Sequence, residues 1–173
     1  MTDTSRIKDA FERSVKVLTL RPSRGRGTAT TKVRVREGLI CDIESGPWRL
    51  VADMPVSAGG TATAPTPGVL GRAALGSCLA IGYIMRAAAN NLPITALDVE
   101  IQADSDDCAL YGLPDASPGY SELRYVVTVE SSAPEEEVHR VLDAADAHSP
   151  YLAVFQRPQR CTRSVVINRS PRP

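Results

Sequence analysis

The chain has no excess of charge of either sign. Its 173 residues include 20 lysines and arginines and 20 aspartates and glutamates, so the formal net charge is zero. A protein without a strong positive field does not attract phosphate backbones or anionic membrane surfaces. We therefore expect neither nucleic acid nor a membrane as a partner.

Long apolar segments and targeting signals are also missing. The N-terminal stretch MTDTSRIKDAFERSV is charged and has no apolar run of the kind found in a signal peptide. The longest weakly charged run lies between Arg72 and Arg86, and it is shorter than the ~20 apolar residues that span a bilayer. These absences predict a soluble protein of the cytoplasm.

Metal-binding and dithiol motifs are absent as well. The cysteines are Cys41, Cys78, Cys108 and Cys161, and the histidines are His139 and His148. No two cysteines form a C-x-x-C pair, and the two histidines are far apart in the sequence. The spacing predicts no metal site and no cofactor, and it predicts free thiols in a reducing compartment.

Hydrophobic periodicity indicates several strands in the first and middle parts of the chain. Residues 4–14 have the spacing of a short amphipathic helix, which we assign with its lead-in to an N-terminal appendage of residues 1–22. Alternating apolar residues follow in TATTKVRVRE, LICDIES and WRLVADM, and they predict three antiparallel strands. ITALDVEIQAD and SELRYVVTVES predict two more paired strands.

A long central helix is predicted between these groups of strands. Thr66 is a plausible N-cap, Pro67 suits the first helical position, and Pro93 ends a helix that reaches about residue 90 or 91. One face carries, at helical spacing, Gly71, Ala74, Leu75, Cys78, Ile81, Gly82 and Met85. Arg72 and Arg86 are expected to project to a different side from Cys78. A helix this apolar must be buried on nearly all sides, within its own domain or against a second copy.

The last part of the chain is predicted to contain two helices and a strand. Ser132 and Glu135 have capping-box spacing, which predicts a helix in PEEEVHRVLDAADAH. A break at SPY precedes a short helix and a final strand near RSVVINR. The order of elements predicts an α+β fold, with residues 23–173 forming a single domain.

Two segments carry a resemblance to a known family. LVADMPVSAGGTATAPTPGVLGRAALGSCLA contains a Gly-Gly loop, a T-P helix start and an A-A-L-x-x-C segment, and DAADAHSPYLAVF follows later. These features resemble the osmotically inducible protein C and organic hydroperoxide resistance proteins (the OsmC/Ohr family), with a likeness extending from about Thr28 to about Ile167. The resemblance implies a two-layer fold, with antiparallel sheets around a long buried central helix. It also implies an intertwined homodimer with its site at the subunit interface.

The resemblance further implies roles for particular residues. In active members a helix cysteine attacks a hydroperoxide, a glutamate and an arginine activate it, and a second cysteine before a proline closes a disulfide. Cys78 matches the attacking cysteine, whereas Gly68 stands in the place of the glutamate and Ser149 in that of the second cysteine. The arginine would come from the N-terminal sheet region, where the candidates are Arg24, Arg26, Arg34 and Arg36. Arg34 and Arg36 share one strand face.

Several other residues are expected near the same pocket. We predict that it includes Gly68, His148, Ser149, Tyr151 and Phe155. An alternative for His148 is an interaction with the last carbonyls of a helix, and an alternative for the two aromatic residues is simple packing. Cys78 itself is either a reactive thiol or a small buried apolar side chain.

Two hypotheses about function follow. In the first, Cys78 reduces organic hydroperoxides in oxidative stress defence. A cysteine sulfenic acid needs a thiol for its reduction, and Ser149 has none. The thiol would be that of Cys41 or Cys161, if one of them lies near Cys78 in space, or an external low-molecular-weight thiol. In the second, the fold is redox-inactive and its interfacial pocket binds a small apolar or acidic ligand.

Overall fold

The computed structural model describes residues 4–168. Its helices are α1 (Thr4–Leu20), α2 (Pro67–Ala89), α3 (Glu135–Asp146) and α4 (Pro150–Gln156). Its strands are β1 (Lys32–Glu37), β2 (Ile40–Ser45), β3 (Trp48–Ala52), β4 (Ala96–Ser105) and β5 (Tyr120–Glu130). The predicted α+β order of elements is confirmed, because every predicted helix and the first five predicted strands are present.

The N-terminal helix is longer than its periodicity indicated. The prediction ended it at residue 14, but α1 continues to Leu20. No helix breaker occurs before Pro22, and the Ser14 and Thr19 hydroxyls donate to carbonyls four residues earlier, both at 2.8 Å. Polar side chains that interrupt the apolar pattern are therefore accommodated inside the helix. No residue of α1 is buried.

The first sheet has the antiparallel order β1-β2-β3. Val33 pairs with Ile43, and Ile43 pairs with Leu50. Gly38 and Gly46, both at a φ of 55°, provide the left-handed backbone that the two tight turns require. The side chains of Val33 and Leu50 are 61% and 54% exposed, so within one chain this sheet leaves apolar surface uncovered.

The second sheet pairs β4 with β5 and packs on α2. Leu75, Leu79 and Tyr83 of α2 form the centre of the core and are at most 1% exposed. A side chain at Gly76 would place its Cβ 3.2 Å from Ile101. This glycine therefore allows the close approach of α2 to β4.

The central helix begins and ends where the sequence predicts. The Val69 amide donates to the Thr66 hydroxyl oxygen at 3.3 Å, so Thr66 is the N-cap. The helix is long and apolar enough, by length and composition, to cross a membrane, a test that core helices also pass. Within one chain it is buried on one side only, and Ile81 and Met85 remain 60% and 39% exposed.

Two local predictions in the last part of the chain are wrong. Helix α3 has Pro134 at its N-cap and no side-chain cap. The expected capping box does not form, and the Ser131 hydroxyl instead accepts from Ala133 and donates to the Pro93 carbonyl. The expected strand near RSVVINR is also absent from residues 163–168, and residue 169 lies outside the described range. No strand within the described residues lies beside this segment to pair with it.

Candidate functional site

The packing of α2 against the α3–α4 region brings Cys78 and Ser149 together. Their side-chain atoms Sγ and Oγ are 3.7 Å apart, although the residues are 71 positions apart in the chain. Cys78 lies in the middle of α2, and Ser149 is the N-cap of α4. The two positions that the resemblance assigns to the attacking and the second cysteine are thus adjacent in space.

Ser149 has a well-defined set of hydrogen bonds. Its side-chain oxygen accepts from the Leu152 amide at 3.3 Å, and its own amide donates to the Asp146 carbonyl at 3.1 Å. The residue is 8% exposed. Since the Leu152 amide occupies an acceptor position, the hydroxyl proton is available to the Cys78 sulfur. A hydroxyl stabilises negative charge on sulfur but, unlike a thiol, cannot form a disulfide.

A carboxylate fixes the end of α3 beside this pair. Asp146 accepts from the Tyr83 hydroxyl at 2.6 Å and from the Tyr125 hydroxyl at 2.8 Å. Burial, together with the hydrogen bond to Asp146, raises the pKa of Tyr125 to about 12 and moves that of Tyr83 well above its usual range. Both tyrosines therefore remain donors and hold the turn that carries Ser149 against α2 and β5. No local sequence signal indicated this arrangement.

A cavity of about 380 Å³ opens beside Cys78. Its polar lining consists of Cys78, Arg86, His148 and Ser149, and its apolar lining of Phe11, Ile81, Gly82, Met85, Ala145 and Pro150. The expectation that Arg86 projects to a different side from Cys78 is wrong. The reason is that its long side chain, about two helical turns further along α2, still borders the same cavity.

His148 both borders this cavity and contacts the end of α3. Its Nδ1 lies 2.8 Å from the Ala144 carbonyl oxygen, which can only accept, so Nδ1 is the donor. The interaction with a helix-end carbonyl that the sequence suggested is therefore present. In the neutral ring, Nε2 is left as an acceptor.

The other residues predicted for the pocket lie elsewhere. Gly68 is near the start of α2, close to Arg72 and to the Tyr120 hydroxyl. The Phe155 ring stacks on Tyr120 with centroids 6.3 Å apart, and Tyr151 is 46% exposed. Of the five predicted residues, only His148 and Ser149 border the Cys78 cavity.

Of the four candidate arginines, Arg34 and Arg36 lie on the first sheet, whereas Arg24 and Arg26 precede it. Arg36 forms an ion pair with Asp42 at 3.4 Å, and Arg34 borders a charged recess together with Lys32, Asp42 and Glu44. Neither arginine lines the Cys78 cavity of its own chain. Within residues 4–168, the arginine that does so is Arg86.

The loop leading into α2 depends on a buried carboxylate that sequence reasoning missed. Asp53 is 1% exposed. Its carboxylate accepts hydrogen bonds from the hydroxyl and the backbone amide of Thr61, from the hydroxyl and the backbone amide of Thr63, and from the Met54 amide. These bonds, led by the Thr61 hydroxyl, hold the pKa of Asp53 well below its usual range. A Cβ at Gly60 would collide with the Met54 carbonyl, which explains the second glycine of the Gly-Gly loop.

Metal-ligand groupings are not found in the part of the chain that the structure describes. Residues 4–168 contain no cluster of three or more histidine, cysteine, aspartate or glutamate side chains that could hold an ion.

Comparison with known sequences identifies one family. The sequence model of the family described as OsmC-like protein matches residues 60–163, which is more than half of the chain. The matched span contains both Cys78 and Ser149 but excludes α1 and the first sheet. Among curated protein sequences, none matches this chain.

Solved structures with the same fold come from several bacteria. The crystal structure of an OsmC-like protein from Mycoplasma pneumoniae has a TM-score of 0.65 at 16% identity, covering 75% of this chain and 88% of that one. An organic hydroperoxide resistance protein from Elizabethkingia anophelis, with thiocyanate bound, has a TM-score of 0.59 at 13% identity, covering 76% and 89%. An organic hydroperoxide resistance protein OsmC from Legionella pneumophila has a TM-score of 0.54 at 16% identity, covering 75% and 90%. At these identities the likeness establishes the two-layer OsmC/Ohr fold.

Proposed function

This chain belongs to the OsmC-like protein family, and from that membership we propose that it is a one-cysteine, thiol-dependent peroxidase acting on organic hydroperoxides. The observation that carries the proposal is the contact between Cys78 and Ser149 at the edge of a cavity. The thiol lies where a small molecule can reach it, and a hydroxyl is available to stabilise its negative charge.

The proposed reaction has two stages. The Cys78 thiolate attacks the terminal peroxide oxygen, the O–O bond breaks, and the alkoxide leaves as an alcohol after taking up a proton. Cys78 is then a sulfenic acid. One external thiol displaces water to form a mixed disulfide, and a second external thiol releases Cys78 and carries away the disulfide.

The positions of the other cysteines support an external reductant. All four cysteines are free thiols, and Cys108 and Cys161 are exposed. None of the other three borders the Cys78 cavity. A thiol from outside the protein would therefore reduce the sulfenic acid, because Ser149 occupies the position next to Cys78.

A homodimer, with each site at the subunit interface, is part of the proposal. Apolar residues on α2 and on the first sheet are exposed in one chain, and Ile81 at 60% and Val33 at 61% are examples. A second copy would bury them. In such an intertwined dimer, the Arg34 and Arg36 face of one sheet would supply the cation that activates the other subunit's Cys78. We place this dimer in the cytoplasm.

A second candidate function has a specific observation in its favour. Ser149 stands in place of the second cysteine, and Gly68 in place of the glutamate, that active members of the OsmC/Ohr family use in the peroxidase cycle. A cavity is nevertheless present beside Cys78. A protein with this combination would bind a small apolar or acidic ligand without turning it over. The two candidates differ in whether Cys78 is oxidised.

The test is to treat the protein with cumene hydroperoxide and follow Cys78 by peptide mass spectrometry. We expect a sulfenic acid that a dimedone probe traps, and its disappearance when a monothiol is supplied. Cys161→Ser is the matched control, because it removes a thiol that does not border the cavity. A Cys78 that remains a thiol under these conditions would rule out the peroxidase and leave the ligand-binding function.

A further inference from the structure

We infer that His148 is the general acid of the proposed reaction, the group that gives a proton to the departing alkoxide as the O–O bond breaks. This role rests on the proposed function, because it requires a peroxide bond to be broken at Cys78. It gives a catalytic task to a residue that the sequence placed at the pocket without one.

The leaving group of the reaction creates the need for an acid. When a thiolate attacks the terminal oxygen of an alkyl hydroperoxide, the negative charge passes to an alkoxide, which is a strong base and a poor leaving group. A side chain that delivers a proton in the transition state typically contributes about 10²–10⁴-fold to the rate of such a step. A proton donor beside the bound hydroperoxide therefore matters more than it would for a leaving group that is already stable as an anion.

Only one of the polar side chains at the Cys78 cavity is suited to this task. Within residues 4–168 the polar lining consists of Cys78, Arg86, His148 and Ser149. Cys78 is the nucleophile, a guanidinium does not lose its proton in proteins, and a serine hydroxyl is too weak an acid. Imidazole is the side chain whose charge changes between about pH 5 and pH 8, so it both gives and regains a proton near neutrality. The donor is therefore His148.

The end of α3 holds the His148 ring. Nδ1 lies 2.8 Å from the Ala144 carbonyl oxygen, and the backbone amide of His148 donates to the Ala145 carbonyl at 3.1 Å. Because a carbonyl only accepts, Nδ1 keeps its proton in the neutral and the charged ring, and Nε2 is the nitrogen that gains and loses one. The ring borders the cavity and is also exposed. Nε2 is thus available to a bound molecule, and water can restore its proton.

The groups around His148 leave this proton available to a ligand. α2 contributes the Cys78 thiol and the Arg86 guanidinium to the cavity, α1 contributes only Phe11, and α4 contributes no charged side chain to it. The central carbon of the Arg86 guanidinium lies 5.4 Å from the centre of the Phe11 ring, within the range of a cation–π contact. On α3, Asp146 accepts from two tyrosine hydroxyls. A hydroperoxide in the cavity therefore meets Arg86 as a fixed charge and His148 as the group that transfers a proton.

The step conserves atoms and electrons. The Cys78 thiolate forms a bond to the terminal oxygen, the O–O bond breaks, and its electron pair leaves on the alkoxide oxygen. That oxygen takes the Nε2 proton of the charged His148 ring. The products are the sulfenic acid, the alcohol and neutral His148, so the sulfur is oxidised and the peroxide is reduced. The exposed ring is then protonated again by water.

The experiment compares two oxidants that differ in their leaving group. The full-length protein reacts with cumene hydroperoxide or with peracetic acid at about pH 6.5, where a free imidazole is about half protonated. Peptide mass spectrometry follows the oxidation of Cys78. Acetate is a weak base and leaves without an acid, whereas the alkoxide needs one. His148→Gln should therefore slow the reaction with cumene hydroperoxide about 100-fold and leave the reaction with peracetic acid nearly unchanged.

His139→Gln is the matched control. His139 is the only other histidine of the chain, and its Nε2 lies 3.5 Å from a carboxylate oxygen of Glu135 on the same helix. It does not border the cavity. Both rates should therefore stay at the values of the parent protein.

If His148→Gln does not fold, the parent protein alone decides. Alkylation of Cys78 by iodoacetamide needs a thiolate but no acid, because iodide is the leaving group. The ratio of the cumene hydroperoxide rate to the alkylation rate should therefore fall as the pH rises from about 6 to about 9 and the ring loses its charge. A constant ratio, or a His148→Gln variant that slows both oxidants equally or neither of them, would overturn the role of His148.

Failure of this role can be distinguished from failure of the proposed function. Oxidation by cumene hydroperoxide that His148→Gln does not slow would overturn the acid and leave the peroxidase standing. A Cys78 that peracetic acid oxidises and iodoacetamide alkylates, while cumene hydroperoxide leaves it unchanged, would overturn both.

Discussion

The side-chain oxygen of Ser149 lies 3.7 Å from the sulfur of Cys78, and it also caps α4 by accepting from the Leu152 amide. One hydroxyl therefore links the middle of α2 to the start of α4. The contact places a hydroxyl, and not a second thiol, beside the candidate nucleophile.

Ser149→Cys should convert the site into a dithiol. The new sulfur would lie close to Cys78. Its thiolate would attack the sulfur of a Cys78 sulfenic acid and release water, which forms an intramolecular disulfide. The measurement is the mass of the linked peptides after treatment with cumene hydroperoxide, without reductant. Ser77→Cys is the control, because it adds a thiol to the helix that carries Cys78. The hydroxyl of Ser77 donates to the Ala74 carbonyl and is not hydrogen-bonded to Cys78. The same linkage in both variants, or in neither, would contradict the prediction.

Ser149→Ala should weaken the fold modestly. The substitution removes the N-cap of α4 and leaves the Leu152 amide without its acceptor. The loss of a cap of this type costs about 1 kcal/mol in the free energy of unfolding. Urea denaturation measures the free energy of unfolding of the parent protein, of Ser149→Ala, and of Ser149→Thr, which keeps a capping hydroxyl. A Thr variant as unstable as the Ala variant would argue against the cap as the cause.

Asp53 should make the fold sensitive to acid. Because hydrogen bonds hold its pKa below the usual value in the folded state, its contribution to stability is complete above about pH 4 and is lost as the pH falls toward the folded-state pKa. Asp53→Asn should lower the urea midpoint at neutral pH, since an amide group would face backbone and hydroxyl donors. It should also flatten the decline of the midpoint between pH 5 and pH 2. A decline as steep as in the parent protein would show that other groups cause it.

Tyr125 should make the fold sensitive to alkali. Its pKa of about 12 in the folded state exceeds the ordinary value of 10.0, so the folded state retains a proton that the unfolded chain releases. The associated stability is complete below about pH 10 and is lost as the pH rises toward 12. Urea midpoints from pH 8 to pH 11.5 should fall in the parent protein and fall less in Tyr125→Phe. Equal slopes would contradict the assignment to this hydroxyl.

The exposed face of α2 should be an interface between two copies of the chain. We expect a dimer by light scattering, and we expect Ile81→Glu to shift it toward monomer, because a buried, unpaired charge opposes association. Leu110→Glu is the matched control, since Leu110 is similarly exposed, at 67%, but lies in the connection between β4 and β5. A parent protein that is monomeric at all concentrations would refute the dimer.

Much of the fold was predictable because its signals are local. The alternation in KVRVRE, ICDIES and WRLVA predicts β1 to β3, and the Thr66 and Pro67 pair predicts the start of α2. The end of α1 and the cap of α3 were wrong because competing local hydrogen bonds, such as those of Ser14 and Ser131, do not follow a simple spacing rule. The last predicted strand was wrong because a strand needs a neighbour that periodicity cannot supply.

The candidate site shows the limit of such signals. Local pattern and resemblance together singled out Cys78, Ser149 and His148, and all three border one cavity. Gly68 and Phe155 were grouped with them by motif, yet they lie near Tyr120. A sequence motif gives the positions of residues along the chain, but it does not show which of their side chains line the same cavity.

The sequence alone determined the order of the helices and of the first five strands and the cap of α2, since each depends on neighbouring residues. The choice of Cys78 depended on the resemblance to the OsmC/Ohr family. Only tertiary packing decided that Ser149 lies against Cys78, that Asp146 joins Tyr83 to Tyr125, and that Phe11 holds Arg86 at the same cavity. The physical reason is that each of these contacts joins elements far apart in the chain. Their distances are set by how α1, α3 and β5 pack on α2.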